Sequence, residues 1–179
     1  MLIIPVHRHE DGKRKGDALG GKMTVETNER DSPVFALAYA SYSTIDSTEL
    51  DLEGLARHAS AKNATLGLTG YLCYDHGVFF QYLEGDRQVV LDLMDVIEKD
   101  IRHDIVNKVE LGEYDERIFP DWSMRYLNRS DLRRVDLENV LEHSLFHMDP
   151  KLYGQENIVA LIKALVANIS ARQNHLKAV

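Results

Sequence analysis

"LGLTGYLCYDHGVFFQYLEG", residues 66–85, reads as two strands joined by a tight turn. Tyr71, Leu72 and Cys73 lead into Asp75-His76-Gly77, and Val78, Phe79 and Phe80 lead out of it. A short polar stretch with glycine between apolar runs is a hairpin signal. The second strand carries one residue that does not belong in an apolar run, Gln81. A buried amide left without partners costs roughly 1–3 kcal/mol, and a valine there would cost nothing. Gln81 therefore needs a bonding partner inside the fold.

Working outward, "VFALAYAS" (34–41) reads as a strand, with Phe35, Leu37 and Tyr39 on one face by the two-residue period. Residues 47–63 read as a helix capped by Ser47 or Thr48, with Leu52, Leu55, Ala56 and Ala59 at helical spacing. Residues 86–100 form a second amphipathic helix with Val90, Met94 and Ile97 together, and 105–113 a fourth strand. The order β-α-β-β-α-β predicts an α+β, ferredoxin-like fold with two helices on one face of the sheet. A fifth strand is expected at 121–127, then helices within about 131–147 and about 155–174. The last one places Ile158, Leu161, Ile162, Leu165, Val166 and Ile169 in one stripe, which needs a surface to cover. The face of the sheet bearing Ala36, Ala38, Phe80 and Tyr82 needs a cover in turn, so the C-terminal helices are expected there. The first and third strands are expected to be adjacent, central and parallel. Tyr39 and Gln81 then sit on neighbouring strands and meet in the core if both face the helices.

The chain has 179 residues, 44% of them apolar, which suits one domain with an appendage. It contains no run of 18 apolar residues, and its first residues lack the order of a signal peptide, so a cytoplasmic protein is expected. The single Cys73 lies in an apolar strand and reads as structural. A net charge of −8 argues against binding a nucleic-acid backbone. The expected division is a mobile tail over 1–32, a compact domain over 33–128 and a helical extension over 129–179, with Met23 an alternative start. His143 and His147 have helical metal spacing but lack the glutamate of the zinc motif, and "GDALGGK" (16–22) lacks the spacing of a phosphate loop. His7 and His9 would bind a metal only adventitiously.

"LAYAS" (37–41), "NATLGLTGYLCY" (63–74), "FFQYLEG" (79–85), "IEKDIRH" (97–103) and "FPDWSM" (119–124) occur in the order and spacing of the BLUF domain. The resemblance to that family of blue-light sensors using FAD covers roughly residues 34 to 127 and rests on five spaced motifs. It implies a flavin held between the two helices, over the sheet. The family's photoactive tyrosine falls on Tyr39, its glutamine on Gln81, and the asparagine that bonds the ring edge on Asn63. The tryptophan and methionine of the last strand fall on Trp122 and Met124. Arg102 and His103 match the basic pair near the flavin tail. Lys62 is a departure, since several family members carry His or Asn there.

Gln81 would then be bonded between Tyr39 and the flavin, where its donor and acceptor ends allow two orientations or a tautomer. The resemblance implies that Tyr39 gives an electron and a proton to the excited flavin, that the radical pair recombines, and that Gln81 is left rotated or tautomerised. The altered hydrogen bond gives a small red shift and biases the strand carrying Trp122 and Met124. The function expected is therefore a photoreceptor, not an enzyme, which forms a homo-oligomer and signals to a separate protein. The competing readings are a flavin-dependent redox enzyme, disfavoured because no nicotinamide fingerprint appears, and a ferredoxin-like regulatory domain without flavin.

Overall fold

The computed structural model describes residues 33–137 and 154–176. The expected tail over 1–32, the histidine pair His143 and His147, and most of the helix expected within 131–147 lie outside the described residues.

The first strand, β1 (Val34–Ser43), is buried on both faces from Phe35 to Ser41. After it, Ser47–Glu49 make a single 3-10 turn capped by Asp46, whose carboxylate accepts from the Thr48 amide at 2.9 Å. The chain is extended at Leu50, so the helix proper, α1 (Leu52–Leu66), starts later than expected. Its cap is Asp51, accepting from Gly54 N at 2.8 Å, in place of Ser47 or Thr48. α1 ends on Gly67 at φ 65°, a left-handed conformation that a residue without Cβ adopts freely. Asn63 thus lies within the last turn of the helix, which runs three residues past the 47–63 span expected.

The hairpin pairs β2 (Thr69–Asp75) with β3 (Val78–Gly85). His76 and Gly77 between them have φ 46° and 83°, positive at both central positions, the twist that matches a two-residue hairpin turn. Next come α2 (Arg87–Ile97), capped by Asp86, and β4 (His103–Tyr114). The last strand, β5 (Arg125–Leu127), is shorter than expected. Residues Phe119 to Trp122 form a turn, with Trp122 N bonded to Phe119 O at 3.2 Å, and regular ladder pairing with β2 begins at Arg125.

The five strands lie in the order β4-β1-β3-β2-β5. β1 and β3 are adjacent and interior, but antiparallel, which corrects the parallel pairing expected from the sequence. The reason is the tight hairpin: β3 reverses the direction of β2, and it is β2 that runs with β1 after the α1 crossover. Phe35, Leu37, Leu72 and Leu83 pack on one face of the sheet against Val90 and Met94 of α2. Ala36, Ala38, Phe80 and Tyr82 pack on the other face. That second layer is closed by α3 (Arg129–Arg134), α4 (Gln155–Ala171) and α5 (Gln173–Leu176). Ile158, Ile162, Leu165, Val166 and Ile169 of α4 are buried there, while Leu161, the sixth residue of the expected stripe, is only half-buried.

Candidate functional site

Interior pairing sets Tyr39 of β1 directly opposite Gln81 of β3. Both side chains emerge on the α1–α2 face, where the phenol donates to Gln81 Oε1 at 2.5 Å. The amide's other end donates to Met124 Sδ at 3.7 Å. The pair forms the floor of a cavity of about 970 Å³ roofed by α1 and walled by Leu93 and Ile97 of α2. A cavity of that size suits a cofactor-sized ligand.

Burial pushes the Tyr39 phenol well above its ordinary range, and the Asp100 carboxylate adds to the effect. Tyr39 is thus held protonated and ready to donate. His103 packs its ring on Tyr39, centroids 6.2 Å apart, and burial depresses its pKa against the opposing pull of Asp100. Its Nδ1 is buried without a partner, as is Ser41 Oγ, and both residues line the cavity. Asn63 reaches across from α1, its Nδ2 donating to Ser123 O at 2.8 Å. Lys62 also lines the cavity, its pKa lowered by burial. Arg102 is engaged by Asp100: its Nε donates to Oδ1 at 2.8 Å and its Nη2 to Oδ2, which raises the guanidinium pKa and lowers that of the carboxyl.

The structure gathers Tyr39, Lys62, Asn63, Gln81, Arg102 and His103 around one cavity. Trp122 and Met124 separate. Met124 is buried on the cavity side of the sheet and touches Gln81. Trp122 is buried in the opposite layer, stacked on Phe119 at 5.0 Å and under the Arg125 guanidinium at 5.4 Å, and does not line the cavity. Two residues apart on a strand they would share a face, but they precede β5, so the alternation does not apply. Ser41 and Asp100 were missed by sequence reasoning. Ser41 follows Tyr39 by two strand positions, a usable signal; Asp100 comes from the turn before β4 and carries none.

The family model described as "BLUF: Sensors of blue-light using FAD" matches residues 34–125. Photoactivated adenylate cyclase subunit beta of Euglena longa is 37% identical over 95 residues, covering 52% of this chain and 11% of that protein. Its Euglena gracilis counterpart is 35% identical over 95 residues, with the same coverage. This chain therefore spans about a tenth of the length of those relatives. Among solved structures, the dark state of BlrB, a BLUF protein, matches with a TM-score of 0.58 and 29% identity, over 79% of this chain and 98% of that one. BlsA in its ground state matches with a TM-score of 0.53 and 32% identity, over 74% and 87%.

Proposed function

This chain belongs to the BLUF family of blue-light sensors, and from that premise we propose that it binds FAD in the cavity under α1 and registers blue light in the Tyr39–Gln81 hydrogen bond. The observation that carries the reading is that bond itself: a 2.5 Å contact between a protonated phenol and an amide, buried on the floor of a cofactor-sized cavity. The cavity's chemistry fits a flavin ring. Leu55, Phe79, Leu93 and Ile97 suit its apolar faces, while the unpartnered Ser41 Oγ and His103 Nδ1 and the amides of Asn63 and Gln81 suit its polar edge. Asn63, Gln81 and Ser41 would hold the ring. Lys62 and Arg57 supply positive charge along α1 for the phosphates, and Arg102 does so less, since Asp100 neutralises it. Trp122, buried in the opposite layer, belongs to the readout of the switch and not to the binding of the ring.

A bound flavin supplies the blue absorption and, once excited, a strong demand for an electron. Tyr39 is the electron source on the cavity floor, and its proton already points along the bond to Gln81 Oε1. The electron and proton would return to Tyr39, leaving Gln81 rotated or tautomerised, with donor exchanged for acceptor. That exchange costs Met124 Sδ its donor, so the change is felt in the loop before β5. The hydrogen bonds are strong because the site is shielded from water. We assign 33–128 to light sensing and 129–179 to signalling through a homo-oligomer and a separate cytoplasmic partner. Among the described residues no helix is long and apolar enough to cross a membrane. The sensor reading carries no catalytic step.

The test is the absorption spectrum of the purified protein in darkness and under blue light. The expected result is a yellow protein that releases FAD on denaturation and shows a small red shift, reversed in darkness. A colourless protein that cannot be loaded with FAD overturns the proposal, as does persistent bleaching.

A further inference from the structure

Three residues beyond Gln81 on β3, Glu84 is fully buried. Each of its carboxylate oxygens meets two donors. Oε1 accepts from Thr69 Oγ1 at 2.9 Å and from the Phe119 amide at 2.7 Å. Oε2 accepts from the Tyr82 hydroxyl at 2.9 Å and from the Ile118 amide at 2.8 Å. Two donors thus belong to the sheet and two to the backbone of the loop before β5. Arg117 reinforces the junction, donating to Thr69 Oγ1 at 2.9 Å and to Glu84 O at 3.0 Å.

The loop held there touches both ends of the molecule. Toward the cavity, Ser123 O accepts from Asn63 and Met124 Sδ from Gln81. Toward the C-terminal layer, Ile118 O accepts from Gln173 Nε2 of α5 at 2.7 Å, and Leu176 O accepts from the Arg125 guanidinium just past the loop. Between the two, the loop is pinned by Glu84 and by the 2.6 Å bond from Gly70 N to Trp122 O.

We propose that Glu84 is a positioning residue that makes residues 117–124 a rigid arm between the Gln81 side chain and α5. The proposal rests on the photoreceptor reading for its natural input, a change at Gln81. An arm transmits a displacement only if its pivot does not yield, and a carboxylate accepting at both oxygens is such a pivot. Glu84→Gln defeats it by a simple rule. Each oxygen faces one backbone N–H, so wherever the amide nitrogen goes it meets a donor that cannot turn away. One of the two bonds to the arm is necessarily lost.

The experiment is a double-mutant cycle on the full chain, read by amide hydrogen exchange across 155–176. The input is either blue light or Gln81→Leu in the dark. In the wild-type background each input is expected to change exchange in α5 several-fold. In the Glu84→Gln background both changes should vanish, while the light-induced red shift keeps its wild-type size. If Glu84→Gln lowers the melting temperature but leaves the transmitted change intact, Glu84 is only structural and the proposal is overturned. Gln173→Leu cuts the arm at its far end and carries the same two outcomes should Glu84→Gln fail to fold. If the wild type shows no red shift, the photoreceptor reading fails, and the dark cycle with Gln81→Leu still decides the role of Glu84.

Discussion

Tyr39 and Gln81 have different duties although they share one bond. In the proposed switch the phenol would supply a proton and an electron, and the amide would keep the record. Tyr39→Phe and Gln81→Leu should each abolish the reversible red shift while FAD stays bound, as difference spectra and flavin release would report. A full wild-type shift in either variant means that residue is wrongly assigned. Asn63→Ala should instead weaken flavin retention and free Ser123 O. A pH prediction follows from the buried phenols. Burial raises Tyr39, Tyr71 and Tyr82, and raises Tyr126 from the ordinary 10.0 to about 12. Below pH 10 these groups are protonated in the folded and unfolded chain alike, so their contribution to stability is fully present. Above it the unfolded chain releases protons that the fold retains, and stability falls through pH 12. The thermal midpoint should therefore hold up to about pH 10 and decline beyond. A midpoint that is flat to pH 12 contradicts the burial of these rings.

At the scale of elements, the hairpin places Gln81, because its register sets every side chain of β3 on one face or the other. The turn uses His76 at φ 46°, a conformation that costs an ordinary residue roughly 1–2 kcal/mol and asparagine much less. His76→Asn should recover part of that and raise the thermal midpoint without moving the flavin spectrum. A lowered midpoint would show that the 2.9 Å contact between His76 Nδ1 and Asp75 matters more than the backbone. Gly70 is constrained in the opposite sense. A Cβ there would fall 1.9 Å from the Tyr82 carbonyl, so Gly70→Ala should disturb the β2–β3 pairing and the anchor for Trp122.

For the molecule as a whole, the second layer decides whether the sheet survives in water. The five buried apolar side chains of α4 contribute roughly 1.5–3 kcal/mol each before entropy. Truncation after residue 128 removes α3, α4 and α5 and bares Ala36, Ala38, Phe80 and Tyr82. The shortened chain should aggregate or melt earlier, although every residue lining the cavity is still present. Light scattering and flavin absorption test this together. A truncated chain as stable as the full one, in the same mass state, would make the C-terminal layer dispensable.

The element order, the two faces of the sheet, the α4 stripe and the pairing of Tyr39 with Gln81 were all legible in the sequence. Each follows from a local period or from a chain of spaced motifs, and local periods survive folding. The strand direction of β1 against β3, the late start of α1 at Asp51 and the short β5 were not legible. They depend on how a hairpin inserts between two strands and on where a turn releases the chain, which are properties of contacts between distant segments. The parting of Trp122 from Met124 belongs to the same class: on a regular strand over 121–127 the two would share a face, and the turn at 119–122 delivers them to two. The four-donor cradle around Glu84 had no sequence signal at all. A glutamate in an apolar strand announces only a cost. Its partners, from β2, β3 and a loop more than thirty positions on, become neighbours only when the tertiary structure closes around it.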